Sequence, residues 1–209
     1  MNIANVIPKS IIQYWADEEL SDGLKVLSNS WSDIYPDYSY KLYNRDSAIV
    51  FLNNHYDEDI VKVFKSLKLK AMQSDLFRIA YILKKGGIYI DMSQKAYRKM
   101  DEIINFDNEA LYICERKGAK YWNGLIIASP GHQTLNRIFH KVLDNISKKN
   151  SVSAWEVTGP KSFNEIVDEK NSILLNKEDL NGYFRGDKLY VRNNNHWSNI
   201  ISFDEVYDV

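Results

Sequence analysis

The sequence has little of what marks several special classes of protein. A single cysteine, Cys114, excludes an internal disulfide framework and a cysteine-based zinc site. Lysine and arginine number 27 against 28 acidic residues, and the net charge of −1 leaves no overall basic field that would favour nucleic acid as the main partner. The first residues have neither the cationic flank nor the long apolar run of a signal peptide, so we expect a cytoplasmic protein.

Aromatic residues, by contrast, are plentiful. They make up 13% of the chain and include 14 tyrosines and 5 tryptophans, while hydrophobic residues as a whole account for 44%. Tyrosine and tryptophan combine a large apolar face with a polar group, which suits surfaces that stack on rings and sugars. With 209 residues the chain is long enough for a sizeable core, and we predict a single domain over residues 1–209.

Apolar patterning alternates between strand and helix along the chain. A nearly continuous apolar run ends at Trp15 and predicts a buried strand, after which Leu24, Leu27 and Trp31 recur at helical spacing. Residues 38–43 are rich in strand-forming types, and the alternation persists through late short strands predicted at residues 172–175 and 188–191. The pattern predicts one α/β layered fold with a mixed sheet flanked by helices.

The clearest stretch begins at residue 69. Apolar residues repeat with a period near 3.6 up to Leu83, and Gly86 and Gly87 supply a left-handed helix stop. Residues 88–90 then read as a central strand that ends at Asp91. A carboxylate is therefore placed at the carboxyl end of a buried strand, where open α/β sheets bind ligands.

Two charged residues lie on the preceding helix. Asp75 and Arg78 are spaced i,i+3 and therefore share one helix face. The simpler interpretation is a local ion pair. The functional interpretation is that both face a polar ligand together with Asp91.

Residues 74–91, SDLFRIAYILKKGGIYID, resemble the signature of DXD-type glycosyltransferases of the sugar-binding-region family (family 32-like). This family includes yeast-type α-mannosyltransferases and many bacterial capsule and lipopolysaccharide enzymes. The likeness extends to the QYW segment at residues 13–15, the W…PDY stretch at residues 31–38 and the TGP segment at residues 158–160. The implied fold is a single Rossmann-like domain of the GT-A type, with a mixed, mainly parallel sheet.

The resemblance also implies site residues. Asp91, Asp75 and Arg78 take the catalytic roles, with Asp91 and His196 as ligands of a divalent cation, Mn²⁺ or Mg²⁺. Trp15 resembles the aromatic residue that stacks on the donor base. The full set of implied donor-binding residues is Gln13, Trp15, Asp75, Arg78, Tyr89, Asp91, Ser93, Asn123, His196 and Ser198.

One departure puts the metal in doubt. The family's Asp-X-Asp motif reads Asp91-Met92-Ser93 in this chain, and a serine hydroxyl is a weaker ligand than a carboxylate for a hard cation. The basic residues that follow, namely Lys95, Arg98 and Lys99, are candidates for neutralising a leaving diphosphate in place of metal, or else form a solvated loop. A second departure is Ile12, where the family usually has histidine.

The function implied by the resemblance is retaining transfer of a hexose from a nucleotide-sugar, expected to be a UDP-sugar, to a hydroxyl of a saccharide or lipid-linked acceptor in surface polysaccharide synthesis. The altered motif motivates an alternative, a catalytically impaired nucleotide-sugar-binding or scaffold protein of a polysaccharide assembly complex. A nucleotide-binding regulatory domain is a third candidate, but the sequence lacks a glycine-rich phosphate loop.

A basic helix is predicted around residues 57–70. Its lysines, Lys62, Lys65 and Lys68, mark either the solvated face of an amphipathic helix or a peripheral contact with a membrane surface. The second interpretation would place the protein at the inner membrane surface.

Overall fold

The computed structural model describes residues 6–118, 120–149, 151–187 and 206–207. The strands are β1 (Ser10–Tyr14), β2 (Ser39–Tyr43), β3 (Gly87–Ile90), β4 (Gln94–Ala96), β5 (Leu111–Arg116), β6 (Lys120–Ala128), β7 (Ile173–Asn176) and β8 (Phe184–Gly186). The helices are α1 (Asp22–Ile34), α2 (Arg45–His55), α3 (Glu58–Ser66), α4 (Lys70–Lys85), α5 (Gln133–Lys148), α6 (Ala154–Val157) and α7 (Pro160–Asn164), with a 3-10 helix at Asp179–Gly182.

Six strands form the central sheet, in the order β2-β1-β3-β6-β5-β7. Strand β6 runs antiparallel to both of its neighbours, and the remaining pairings are parallel. A separate ribbon pairs β4 with β8 in antiparallel fashion. The prediction of a mixed, mainly parallel sheet flanked by helices is confirmed, and the single domain over residues 1–209 stays a prediction.

The sheet separates two apolar layers. Because successive strand residues point to opposite faces, Ile12 and Tyr89 enter one layer while Ile11 and Ile88 enter the other. Helices α2 to α5 cover the first face, and α1 with the β4-β8 ribbon covers the second. Strands buried on both faces explain the nearly continuous apolar runs in the sequence.

The junction between α4 and β3 is fixed by two glycines. Gly86 and Gly87 both have positive φ, 69° and 100°, and the Gly86 N–H closes the helix on the Ile82 carbonyl. A Cβ on Gly87 would lie 2.2 Å from Ser10 Oγ, so the backbones of β1 and β3 approach here as only glycine allows. The predicted helix stop is thus confirmed.

The structure divides the basic helix predicted around residues 57–70. Helix α3 ends at Ser66 and α4 begins at Lys70, because the segment between them bonds elsewhere. Leu67 forms a bridge with Tyr207, and the Lys68 N–H donates to the Val206 carbonyl. The basic helix predicted from Asp57 is thus present as α3 but ends at Ser66, before Lys68, and the strand predicted at residues 188–191 lies outside the described residues.

We expect Gly87→Ala to destabilise the fold more than Gly131→Ala. Both glycines have positive φ, which costs an alanine about 1–2 kcal/mol, but a Cβ on Gly131 meets nothing within 4 Å. The clash with Ser10 should add roughly 1–3 kcal/mol at Gly87. Urea unfolding followed by circular dichroism measures both losses, and equal losses would contradict the close approach of β1 and β3.

Candidate active site

The carboxyl ends of five strands of the central sheet lie along one edge. Strands β1, β2, β3, β5 and β7 point the same way, because β6 reverses direction between β3 and β5. Trp15 follows β1, and Asp91 follows β3. Asp91 also donates its N–H to the Gly124 carbonyl of β6, which draws Asn123 into the same region. The sheet order thus brings together residues that are far apart in sequence.

A buried ion cluster lies behind Asp91. Arg78, on α4, is 5% exposed and its guanidinium lies 3.1 Å from Asp75 Oδ1 and 3.2 Å from Asp91 Oδ1. It also donates to the Asn123 carbonyl at 2.7 Å and to Ser74 Oγ at 2.8 Å. The predicted i,i+3 ion pair exists, and it continues to the carboxylate at the end of β3.

Asp75 is satisfied within the protein. Asn123 donates to Oδ1 and Thr158 to Oδ2, each at 2.9 Å, in addition to the pairing with Arg78. Burial raises the pKa of Asp75, and the Arg78 guanidinium opposes that rise. Asp75 thus holds Arg78 and Asn123 in place, while its predicted catalytic and donor-binding roles stay predictions.

Asp91 is the more exposed carboxylate of the pair that flanks Arg78. Its side chain is 27% exposed, against 10% for Asp75. The Tyr89 hydroxyl donates to Asp91 Oδ1 at 3.0 Å, and the Tyr89 ring lies 4.4 Å from the Arg78 guanidinium carbon. Burial raises the pKa of Tyr89 well above its ordinary value, so this hydroxyl keeps its proton to donate. Asp91 therefore presents a preoriented, partly exposed carboxylate at the carboxyl end of β3.

Gln13 fixes the backbone of the same residue. It is fully buried, donates from Nε2 to the Asp91 carbonyl at 3.2 Å and accepts at Oε1 from the Tyr40 hydroxyl at 2.7 Å. Both polar atoms of the Gln13 side chain are therefore hydrogen-bonded within the protein. The structure thus places Gln13 as a support of Asp91.

Trp15 lies beside the segment that follows β3. It is half-buried and packs in a small cluster with Leu24, Leu27 and Met92, the residue after Asp91. The Trp15 ring therefore lies at the carboxyl end of β1, close to the segment that follows Asp91. That placement agrees with the predicted stacking role, which stays a prediction.

Sequence reasoning missed Lys177. It follows β7 directly, and its Nζ lies 4.2 Å from the ring centroids of both Trp122 and Phe184 and donates to Gln94 Oε1 at 3.2 Å. Gln94 in turn donates from Nε2 to Ser93 Oγ at 2.9 Å. The available signal was a lysine at the carboxyl end of the late strand predicted at residues 172–175.

The environment of Lys177 is partly desolvated. Burial lowers its pKa to about 8, while Cys114 and Asp91 oppose the shift and Arg116 reinforces it. At pH 7 the ammonium is still mostly charged. The structure therefore places a cation beside the Asp91–Ser93 segment.

The basic residues predicted to compensate for Ser93 are engaged elsewhere. Arg98 pairs with Glu102 at 2.6 Å and Lys99 with Asp37 at 2.9 Å, while Lys95 Nζ lies 5.6 Å from the ring centroid of Tyr97. The solvated-loop interpretation describes these side chains better than the diphosphate clamp.

The described residues alone do not complete a site for a divalent cation. Asp91 Oδ1 already faces Arg78 and Tyr89, and Ser93 Oγ accepts from Gln94. Within the described ranges, no three His, Cys, Asp or Glu side chains are grouped to hold a metal. The predicted second ligand His196, like Ser198, lies outside the described residues, so both roles stay predictions.

The chain has recognisable relatives. Residues 21–109 match the family described as glycosyltransferase sugar-binding region containing DXD motif. Residues 21–109, about two fifths of the chain, are thus similar to a DXD-type glycosyltransferase region. The chain is 25% identical over 150 residues to inositol phosphoceramide mannosyltransferase 2 of Schizosaccharomyces pombe. The aligned part covers 72% of this chain and 41% of the relative. It is also 30% identical over 102 residues to initiation-specific α-1,6-mannosyltransferase of Saccharomyces cerevisiae, covering 46% of this chain and 21% of the relative.

The fold has structural neighbours of the same kind. The PaToxG glycosyltransferase superimposes with a TM-score of 0.60 at 14% identity, covering 77% of this chain and 69% of that one. The fold is therefore of the GT-A type, as predicted, and the relatives and neighbours are enzymes of the transferase class. The chain spans about two fifths of the length of the fission-yeast relative and about one fifth of the budding-yeast one. Among its described helices, none is both long and apolar enough to cross a bilayer.

We expect Asp75→Asn to destabilise the glycosyltransferase fold by about 3–5 kcal/mol, because it leaves the buried Arg78 with an incomplete set of anionic partners. Urea unfolding measures the change. The matched control is Asp37→Asn, which breaks an exposed pair with Lys99 and should change stability little. Equal effects of the two variants would contradict the structural role of the buried cluster.

Proposed function

We propose that this chain transfers a hexose from a nucleoside-diphosphate sugar to an acceptor hydroxyl, with retention of anomeric configuration. The observation that carries this proposal is the partly exposed carboxylate of Asp91, held at the carboxyl end of β3 by Arg78 and Tyr89. Open α/β sheets bind their ligands at this edge. The family match of residues 21–109 supports the same reaction class.

We infer that Asp91-Met92-Ser93 stands at the place of the DXD motif. Its position directly after β3 and the partial exposure of Asp91 support this assignment. Asp91 is then the candidate catalytic residue, which contacts the hydroxyls of the donor sugar or ribose. Ser93 faces the diphosphate.

The residues behind Asp91 act as positioning residues. Asp75 and Arg78 hold the carboxylate from the α4 side, Gln13 holds its carbonyl, and Asn123 ties Asp75 to β6. Each of these side chains is buried and hydrogen-bonded within the protein. Such preorganisation avoids rearrangement of the site when charge develops during the reaction.

In the proposed reaction, the bond between the anomeric carbon and the diphosphate oxygen breaks, and its electron pair leaves with the nucleoside diphosphate. The acceptor oxygen bonds to the anomeric carbon and passes its proton to an oxygen of the departing diphosphate. Because negative charge builds on the departing diphosphate, the protein must place positive charge or hydrogen-bond donors there. It must also hold the acceptor against the anomeric carbon.

The acceptor is proposed to be a saccharide or lipid-linked hydroxyl. Both yeast relatives are named as mannosyltransferases, which supports a hexose donor, and the name of the first, an inositol phosphoceramide mannosyltransferase, supports a lipid acceptor. A UDP-sugar as donor and a place in bacterial surface polysaccharide synthesis stay predictions. So do the cytoplasmic location and peripheral membrane contact, for which the exposed lysines of α3 are the supporting feature.

Replacement of Asp91 tests the catalytic assignment. We expect Asp91→Asn to lower kcat/KM for transfer or donor hydrolysis by at least about 100-fold, because the charged carboxylate is lost from a preorganised site. The assay is a panel of UDP- and GDP-sugars, with release of the nucleoside diphosphate as readout. Asp144→Asn, which alters an exposed ion pair on α5, is the matched control.

Wild-type turnover by Asp91→Asn would rule out Asp91 as the catalytic residue. Donor binding by the wild-type protein without turnover of any sugar would instead favour the nucleotide-sugar-binding or scaffold alternative. The serine at position 93 is the feature that favours this second function.

The stacking role of Trp15 has its own test. We expect Trp15→Ala to weaken binding of UDP or GDP by about 5- to 150-fold, since base stacking on an aromatic ring contributes about 1–3 kcal/mol. Isothermal titration calorimetry measures the dissociation constants. Trp155→Ala, which removes an exposed ring on α6, should leave them unchanged, and unchanged binding by Trp15→Ala would refute the base platform.

A further inference from the structure

We propose that Lys177 supplies the positive charge that faces the donor diphosphate, in the place where a divalent cation would otherwise serve, so that this chain binds its donor without metal. This inference rests on the proposed function. It goes further because it names the group that recognises the leaving diphosphate.

Topology places Lys177 at the same edge of the sheet as Asp91. Strand β7 runs parallel to β5, and β5 points the same way as β3. Lys177 follows the last residue of β7 just as Asp91 follows the last residue of β3. Residues at the carboxyl ends of parallel strands meet the ligand in open α/β sheets.

Two aromatic rings and one amide hold the ammonium in place. Nζ lies 4.2 Å from the ring centroids of Trp122 and Phe184, which attract a cation through their faces. The Gln94 amide, itself buried, accepts one hydrogen bond from Nζ. An ammonium has three donors, and no carboxylate of the described residues forms an ion pair with this one. Donors therefore remain for a ligand.

The Gln94 amide links this cation to the Asp91–Ser93 segment. Gln94 accepts from Lys177 at Oε1 and donates to Ser93 Oγ from Nε2. The Gln94 side chain thus contacts both Lys177 and Ser93. Ser93 is the residue that we assign to the third position of the motif. In this proposal Ser93, the buried Gln94 amide and Lys177 take the place of the second carboxylate of the motif and of the metal that it would bind.

The charge balance of the site favours an anion. With serine instead of aspartate the motif has one negative charge fewer, and Lys177 adds a positive one. Of the charged groups facing Lys177, Asp91 on the β3 end is attractive and Arg116 on β5 is repulsive, while Cys114 on β5 is a buried thiol with a pKa raised to about 11. A divalent cation would meet repulsion from both Lys177 and Arg78, whereas a diphosphate would be attracted.

Little space separates the Asp91 carboxylate from the β6 backbone at Gly124. A Cβ on Gly124 would lie 2.3 Å from Asp91 Oδ2 and 2.2 Å from the Trp122 ring. The Trp122 ring therefore packs against Gly124 close to Asp91, and the Lys177 ammonium lies 4.2 Å from the centroid of the same ring. This spacing keeps the carboxylate and the ammonium in one site without an ion pair between them.

The experiment compares nucleotide and nucleoside binding by isothermal titration calorimetry. UDP, GDP, uridine and guanosine are titrated into the wild-type chain in EDTA and in Mn²⁺. We expect the nucleoside diphosphate to bind more tightly than its nucleoside in EDTA, with a change of less than about threefold on adding Mn²⁺. Lys177→Met should weaken diphosphate binding about 10- to 150-fold, as expected for a hydrogen bond to a charged group, and leave nucleoside binding unchanged.

Two variants complete the test. Lys177→Arg keeps the charge and should retain most of the diphosphate affinity, and Lys170→Met, an exposed lysine before β7 at the opposite edge of the sheet, should behave as wild type. Equal diphosphate affinity of Lys177→Met and wild type, or wild-type binding that needs Mn²⁺, would overturn the role of Lys177. If wild-type protein binds no nucleotide in either buffer, the proposed function itself fails. Unchanged nucleoside binding by Lys177→Met shows that the variant is folded.

Discussion

The buried guanidinium of Arg78 is the constraint on which the site depends. A charge taken out of water must be paired and fully hydrogen-bonded, or the fold loses several kcal/mol. Arg78 meets this requirement with two carboxylates, the Asn123 carbonyl and Ser74, and so ties α4 to the ends of β3 and β6. The position of the Asp91 carboxylate is therefore a consequence of satisfying a charge inside the protein.

The aromatic surplus serves the structure as well as the proposed donor pocket. Trp31 donates from Nε1 to the Gln94 carbonyl, and the Tyr35 hydroxyl accepts from the Met100 N–H. These rings stack in the second apolar layer and hold the segment after Asp91 against α1. The polar groups of the rings thus bind the backbone of β4 and of Met100, which lie outside the central sheet. Trp15 and Trp122, by contrast, lie beside the proposed donor pocket.

The sequence predicted those parts of the site that depend on local spacing. The periodicity of α4, the glycine stop and the strand ending at Asp91 all lie within one short stretch, and the Asp75–Arg78 pair follows from helix geometry. Lys177 could not be found in this way, because its proximity to Ser93 depends on the order of strands in the sheet and on the β4-β8 ribbon. Nearness in sequence suggested Arg98 and Lys99 instead, whose charges are already paired.

The two carboxylates that flank Arg78 also show how one ion cluster supports two different roles. Asp75 is buried and receives two further hydrogen bonds, from Asn123 and Thr158. Its charge is therefore balanced by groups within the protein. Asp91 receives one, from Tyr89, and stays partly exposed. An anion held rigidly by a buried cation but left open on one side is suited to hydroxyl groups of a ligand. A second cation, Lys177, lies at the same end of the sheet and feels the charge of Asp91, so opposite charges occur in one region, which fits a ligand that joins a sugar to a diphosphate.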